Sequence, residues 1–371
     1  MLDTMLLNKE QQKAVEFGQL GAVVDSSPLL IIAGAGTGKT NTLAHKTAHL
    51  ILNGASPDRL LLMTFARRAA GELSARANRI VEQQLSKEKK AYQPVKISWM
   101  GTFHSIAARL LREHANAIGL ESDFTIMDRN DSADMIDVIR HELNFTTTEK
   151  RFPKKKTCLD IYSRCVNSKL AIGEILNAHF PHCREWDKEL TTLFAAYAKA
   201  KMEQVCLDYD DLLLYCYHMA QVPEIAKQVR EQFDYILVDE YQDTNITQYE
   251  LVRLLAGNLG RFTVVGDDDQ SIYAWRGAQP ENLAQLEKDY SRLKIIKLEQ
   301  NYRSAGRILK VANHLIANNP HAFEKKLWSN LGFGDPLKVI SHKDDRVEAT
   351  QIISEIIHHK FRHGGNYSNY A

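Results

Sequence analysis

The chain has almost no net charge: 47 Lys and Arg stand against 46 Asp and Glu, leaving +1. That balance excludes a protein that coats nucleic acid by bulk basicity, so any nucleic-acid surface has to be local. Disulfide chemistry is missing too. The five cysteines, Cys158, Cys165, Cys183, Cys206 and Cys216, are odd in number and form no C-x-x-C pair, which argues against a disulfide framework and against a zinc finger. His179, His182 and Cys183 lack a fourth ligand at metal-binding spacing and read as helix-end residues. The N-terminal Met1–Leu7 carries no basic segment and no apolar stretch long enough for a signal or a membrane span. The expectation is a soluble, cytoplasmic protein with no membrane partner. Internal repeats and low-complexity tracts are also absent. What the chain does have is apolar content, 44 %, ample for the cores of about two or three domains.

The apolar run Leu29-Leu30-Ile31-Ile32 feeds directly into Ala33-Gly34-Ala35-Gly36-Thr37-Gly38-Lys39-Thr40. A buried parallel strand followed by glycines that tolerate positive φ lets successive N–H groups turn onto phosphate oxygens at the start of the next helix. Lys39 then neutralises the β- and γ-phosphates and the Thr40 hydroxyl can ligate Mg²⁺. The pattern G-x-x-x-x-G-K-[ST] is met except at its first position, where Ala33 is still small enough for the turn. Alone, this segment indicates a nucleoside triphosphate and nothing about its use.

Further strands are expected at Leu60–Phe65, Val95–Met100, Tyr235–Val238 and Phe262–Val265, several followed by helix-like periodicity, which is a doubly wound α/β pattern with a parallel sheet. Between about Phe103 and Leu207 amphipathic segments dominate, with polar breaks around Thr146–Thr157, as in a helical domain inserted into the α/β core. From about Asn282 another α/β section is expected, with strands at Leu293–Leu298 and Leu337–Ser341 and helices at Arg307–Asn318 and Glu348–His359. One segment joins a buried strand to an acidic pair, Tyr235-Ile236-Leu237-Val238-Asp239-Glu240. In a sheet that carries a phosphate loop, such a pair can hold a metal through Asp239 and accept a proton from water through Glu240.

The run Val238-Asp239-Glu240-Tyr241-Gln242-Asp243-Thr244-Asn245 resembles motif II of the superfamily 1A DNA helicases, the UvrD/Rep/PcrA group. Other blocks follow in that family's order. Leu7-Asn8-x-x-Gln11 resembles the Q motif, Thr64-Phe65-Ala66-Arg67-Arg68-Ala69-Ala70 motif Ia, and Gly101-Thr102-Phe103-His104-Ser105 motif Ib. Leu207–Leu213 resembles the block that returns the chain to the core. Val265–Gly277 resembles motif III and Gln300-Asn301-Tyr302-Arg303-Ser304 motif IV. The resemblance runs from Leu7 to Ala371 and from about Arg261 is greatest to the Rep branch.

The resemblance implies two RecA-like lobes with ATP and Mg²⁺ between them. A domain 1A would take residues 1–105 and 206–281, a helical insertion 1B residues 106–205, and the incomplete start of a second RecA-like domain 2A residues 282–371. It implies ATP contacts from Gln11, Ala33–Thr40, Tyr302 and Arg303, metal ligation by Thr40 and Asp239, and catalysis by Lys39, Asp239, Glu240, Gln270 and an arginine finger, Arg303. Single-stranded DNA would run past Phe65, Arg67, Arg68, Thr102, Phe103, His104, Tyr273, Trp275 and Arg276, although Phe65 and Phe103 read equally as core residues at strand ends. Lys154-Lys155-Lys156 reads either as a duplex contact or as a solvated face.

Two departures stand out: Asn41 where an arginine usually flanks the base, and Ala66-Arg67-Arg68 in place of a Thr-Asn-Lys pattern. Motifs V and VI and a second inserted domain do not occur within the 371 residues, so a fragment of a longer helicase is expected, with Tyr370-Ala371 opening a further strand. The implied activity is ATP-driven 3′→5′ movement and unwinding at single-strand/duplex junctions, in replication restart or repair alongside proteins of those processes. The alternatives are an ATP- and DNA-binding module without efficient turnover, or the helicase part of a recombination nuclease or antiphage system.

Overall fold

A computed structural model describes residues 7–20, 23–24, 27–89, 93–145, 151–257 and 260–370. Six strands, β1 (Leu29–Ala33), β2 (Leu60–Thr64), β3 (Trp99–Thr102), β4 (Tyr235–Val238), β5 (Phe262–Gly266) and β6 (Lys294–Leu298), form one sheet in the order β6-β1-β5-β4-β2-β3. All five pairings are parallel. Side chains alternate across a strand, and the apolar runs are therefore divided between two cores. Leu30, Ile32, Leu61 and Met63 join one face; Leu29, Ile31, Leu60 and Leu62 join the other. The second face is covered by α1 (Lys9–Glu16), α2 (Lys39–Leu52) and α3 (Arg67–Lys87), through residues such as Ala14, Leu43 and Leu73.

Four expectations shift. The third strand begins at Trp99, not Val95, because the Val95 backbone is taken by the Asn78 side chain: Nδ2 donates to its carbonyl at 2.9 Å and Oδ1 accepts from its N–H at 2.7 Å. The helix α4 (Phe103–His114) buries Ile106, Leu110 and Leu111 in the core on the sheet, although the insertion was expected from residue 106. A separate helical core starts only near Met127 and runs to Cys206, through α5 (Arg129–Glu142), α6 (Lys155–Ser168), α7 (Ile172–His179) and α8 (Asp187–Glu203). Finally, β6 pairs with β1, so the strand expected to open the second section completes the first sheet.

Where the helical insertion returns to the sheet, a buried Lys201 is held by Asp208 at 2.6 Å and Asp211 at 2.5 Å, while the Tyr197 hydroxyl donates to Asp208 at 2.8 Å. Asp208 and Asp211 also form the capping box of α9 (Tyr209–Met219). One ion cluster thus fixes both the end of the insertion and the start of the next core helix. The helices α10 (Pro223–Gln232), α11 (Ile246–Ala256) and α12 (Glu281–Asp289) complete the packing.

Beyond β6 come α13 (Gly306–Ile316) and α14 (Asp345–His363). Leu337–Ser341 is not a strand: Val339 is fully exposed, and no strand among the described residues offers it a ladder. Tyr370 is likewise outside any strand, and Ala371 lies outside the described residues. No helix of the described residues is long and apolar enough to cross a membrane.

Candidate functional site

The loop after β1 has the conformation its glycines permit. Gly36 and Gly38 have φ of 74° and 87°, and a Cβ on Gly36 would lie 2.6 Å from Asn301 Nδ2. Thr37 closes the turn on the Gly34 carbonyl through its hydroxyl at 2.7 Å. Gly38 starts α2 without a side-chain cap, leaving the first-turn N–H groups of that helix to face an anion. Lys39, the first residue of α2, is buried; its Nζ has no hydrogen-bond partner among the described residues and stands 3.5 Å from Glu240 Oε2. A buried ammonium among carboxylates with no hydrogen-bond partner among the described residues fits a site shaped for phosphate.

Gln11, for which the resemblance implies an ATP contact, supports the loop: Nε2 donates to the Thr37 carbonyl at 2.9 Å, and Oε1 accepts from the Asn8 N–H at 2.9 Å in the capping box of α1. Asn41 is half-buried on α2.

The strand β4 delivers the acidic pair. Asp239 is 3 % exposed, and its N–H donates to the Met63 carbonyl of β2 at 2.9 Å. Glu240 has φ 51° and ψ 48°, a left-handed conformation that costs a non-glycine residue on the order of 1 kcal/mol. Such strain at a strand end re-aims the side chain toward Lys39. Burial, helped by the neighbouring Glu240, pushes the Asp239 carboxyl up to about 6, against the pull of Lys39 and of a hydrogen bond from Thr40. Burial and Glu240 likewise raise Asp243 to about 6.

One buried amide links this pair to the next loop. Gln242 Nε2 donates to Glu240 Oε2 at 2.8 Å, and its Oε1 accepts from the Asp267 N–H, just after β5, at 3.0 Å. Asp267 in turn accepts from the Gln270 side-chain amide. From the other side, Asn301 Nδ2 donates to the Ala35 carbonyl at 2.5 Å and the Tyr302 N–H donates to the Gly36 carbonyl at 2.9 Å. Asn301 Oδ1 also accepts from the N–H groups of Arg303 and Ser304 at 2.8 and 2.7 Å. Tyr302 and Arg303 are therefore exposed at the rim of the phosphate loop.

A cleft of about 800 Å³ opens between the ends of β2 and β3, the helical insertion and the loop after Gln270. Phe65 and Tyr273 stack in it with ring centroids 4.7 Å apart and planes at 29°, and Trp275 follows at 6.3 Å from Tyr273. Trp275 is 62 % exposed, while its carbonyl accepts from Arg164 of α6 at 2.8 Å. Thr102 caps α4 through Ser105 N–H, and His104, half-buried against Tyr209, has its pKa pushed down to about 4 by burial. Phe103 is 4 % exposed and packs in the sheet core, so it forms part of the cleft floor. Arg67 and Arg68 are exposed at the uncapped start of α3, where positive charge opposes the helix dipole. Arg68 pairs with Glu72 at 2.9 Å, and Lys155 of the basic run pairs with Asp134 at 2.5 Å. The Arg276 side chain lies outside the described residues.

Residues 7–291 match the UvrD/REP helicase N-terminal domain, and residues 296–371 match the UvrD-like helicase C-terminal domain. The chain belongs to the UvrD/REP helicase family. It is 40 % identical over 370 residues to the ATP-dependent DNA helicase Rep of Escherichia coli K12, covering 99 % of this chain and 51 % of that protein. To the ATP-dependent DNA helicase PcrA of Staphylococcus epidermidis RP62A it is 37 % identical over 368 residues, covering 98 % and 47 %. The chain thus spans about half the length of the curated relatives it matches.

Within this UvrD/REP-family chain the fold brings together residues that sequence spacing leaves far apart. The phosphate loop, the acidic pair, Gln270 and Asn301 are linked by one ion pair and a run of hydrogen bonds, and Phe65, Tyr273 and Trp275 line one cleft. Two contributors have no sequence signal of their own. Leu327 would meet a Cβ on Gly34 at 2.5 Å and so roofs the loop, and Lys325 is buried among acids after Gly266.

Proposed function

We propose that the chain is the ATP-hydrolysing part of a DNA translocase and helicase that moves 3′→5′ on single-stranded DNA and opens duplex at junctions, in replication restart or repair. The observation that carries this reading is the loop after β5. Its first residue, Asp267, is tied through Gln242 to Glu240, and a few residues further on it presents Tyr273 and Trp275 to the cleft. A change at the phosphates therefore has a short route to the strand-gripping rings, first through the hydrogen bonds of Gln242 and then along the chain from Asp267.

In this reading Lys39 holds the β- and γ-phosphates, Glu240 takes the proton of the attacking water, and Arg303 places positive charge on the transferring phosphoryl group. Tyr302 stacks on the base. The oxygen donors Thr40 and Asp239, already joined by a hydrogen bond, suit a hard divalent cation, and Mg²⁺ would be held there. When bound, it supplies charge neutralisation of the phosphates. Bases lie on Phe65, Tyr273 and Trp275, and Arg67 and Arg68 meet the strand's phosphates.

The test is ATP turnover by the chain with and without oligodeoxythymidylate. Stimulation by DNA supports the reading, whereas ATP binding without turnover at saturating DNA reduces the chain to a binding module. The same assay with GTP checks a narrower point. With Asn41 where an arginine would flank the base, GTP should reach a kcat/KM within about tenfold of ATP's, a gap worth ~1.4 kcal/mol. Undiminished selectivity for ATP would remove Asn41 from that role.

Metal binding should also depend on pH. A carboxyl raised from 3.8 to about 6 in the fold favours the folded state below pH 4 and loses that contribution as pH rises through 6. Mg²⁺ at Asp239 competes with that proton. Its affinity should therefore be about tenfold weaker at pH 5 than at pH 7.5 by calorimetric titration, and equal affinities would take Asp239 out of the metal site.

A further inference from the structure

Residues 321–328 form almost no regular structure, yet they touch three parts of the nucleotide site. Leu327 lies against Gly34 of the phosphate loop, and the Asn301 N–H donates to the Trp328 carbonyl at 2.7 Å. The third contact is ionic. Lys325, 5 % exposed, sets its Nζ 2.7 Å from Asp267 Oδ1, 2.7 Å from Asp268 Oδ1 and 2.7 Å from Asp269 Oδ2. His321 Nδ1 lies 3.0 Å from Asp269, and the N–H groups of Ala322 and Phe323 donate to Asp268 Oδ2 at 3.0 and 3.3 Å. The segment is anchored from behind by Phe323 in the sheet core and by Lys297, which donates to the Glu324 carbonyl at 2.6 Å.

Burial alone would depress the Lys325 ammonium, and the three carboxylates outweigh it, so its pKa stands above that of an ordinary lysine. The same ammonium overcomes the burial penalty at Asp268, whose pKa is lowered. The arrangement is more than a generic ion pair because of how Asp267 is divided. Its Oδ1 faces Lys325 and its Oδ2 accepts from Gln270, one of the residues for which the resemblance implies a catalytic role. Oδ1 also accepts from the Asp269 N–H at 3.3 Å, a weak cap. Without the ammonium, three adjacent carboxylates would repel one another, and that cap would be left to hold Asp267 against the repulsion.

We propose that Lys325 is a positioning residue that couples nucleotide to DNA: by fixing Asp267 it sets where Gln270 stands, and through the loop that follows, where Tyr273 and Trp275 stand. This rests on the functional reading above, in which the aromatic row meets DNA, and on the catalytic role at ATP that the family resemblance implies for Gln270. Lys325 itself touches neither ligand. Its loss should spare each binding event and break the link between them.

The experiment measures, on the full 371-residue chain, the Kd of a fluorescein-labelled oligodeoxythymidylate by anisotropy, with and without a non-hydrolysable ATP analogue and Mg²⁺. For the wild type the two Kd values should differ about tenfold, within the usual range of coupling between sites. Lys325→Met should bring that ratio below about twofold, while the Kd for either ligand alone stays within about threefold of the wild type. Lys325→Arg, which keeps the charge, should restore most of the ratio. Should Lys325→Met fail to fold by circular dichroism, Asp267→Asn decides, because it leaves two carboxylates on Lys325 and should lose the coupling as well. A folded Lys325→Met or Asp267→Asn that retains the wild-type ratio overturns the inference, as does a wild type that binds both ligands without coupling them. A wild type that binds neither ligand overturns the functional reading itself.

Discussion

Glu240→Gln is expected to abolish DNA-stimulated ATP turnover, lowering kcat by about 10²- to 10⁴-fold while ATP still binds. The substitution keeps the size of the side chain and removes its capacity to take a proton. The structure gives two further reasons for a clean separation of binding from chemistry. Glu240 lies 3.5 Å from Lys39 Nζ, so in the absence of nucleotide the carboxylate partly neutralises the lysine that should meet phosphate. An amide there no longer competes, and ATP affinity should hold or rise. Gln242 already donates to Glu240 Oε2 at 2.8 Å, and the substituted amide can satisfy that donor with its carbonyl oxygen, so the link to Asp267 persists. Steady-state kinetics and a fluorescent-nucleotide titration check the pair of outcomes. A kcat within about threefold of wild type would remove Glu240 as the base, given what general-base catalysis contributes.

The parts of this molecule that were readable from sequence are those in which the chemistry is local. A parallel strand buried on both faces reads as an apolar run, and a loop that binds phosphate needs its glycines in consecutive order. Leu29–Ala33 and Tyr235–Val238 therefore formed as expected, with Lys39 and Asp239-Glu240 directly behind them. What was not readable depends on partners distant in sequence. Val95 looks like a strand residue until Asn78 takes its backbone, and of the two readings open for Phe103 and Phe65, only the fold shows Phe103 packed in the sheet core beneath the cleft. Leu337–Ser341 has strand composition and lacks a partner strand among the described residues. Lys325 is one of two adjacent lysines, and nothing in Phe323-Glu324-Lys325-Lys326 tells which one enters the acidic cluster. Lys326, by contrast, offers its backbone N–H to Glu299 at 2.8 Å.

The same distinction applies to the ends of β6. Its two lysines, Lys294 and Lys297, suit a sheet edge, because charged side chains discourage further strand addition there. The strand's role beside β1 also places Gln300–Ser304 over the phosphate loop without any long connection. The geometry of Asn301 follows from that register: Leu298 lies opposite Ala33, so the chain three residues further on reaches Ala35 and Gly36. Clamping of the loop by Asn301 is thus a consequence of parallel pairing at the edge of the first sheet.

The aromatic row carries the other large expected effect. Trp275→Ala should weaken binding of single-stranded DNA by roughly 5- to 150-fold, the ~1–3 kcal/mol of one base stack, and to a similar degree on oligodeoxythymidylate and oligodeoxyadenylate, because every base has a π face. Tyr273→Ala should cost at least as much. Its ring stands between Phe65 at 4.7 Å and Trp275 at 6.3 Å, so its loss also leaves Phe65 without the neighbour that fixes its plane. For the same reason the two substitutions should combine less than additively. Salt titration separates this grip from the electrostatic one. Removing a ring should leave the slope of log K against log salt unchanged, whereas Arg67→Ala, which takes a charge from the rim at the start of α3, should lower the slope by about one phosphate's worth, ~0.7 on a single strand. If Trp275→Ala changes the slope and leaves affinity at low salt intact, the ring does not stack on bases. The cleft would then hold DNA by charge alone.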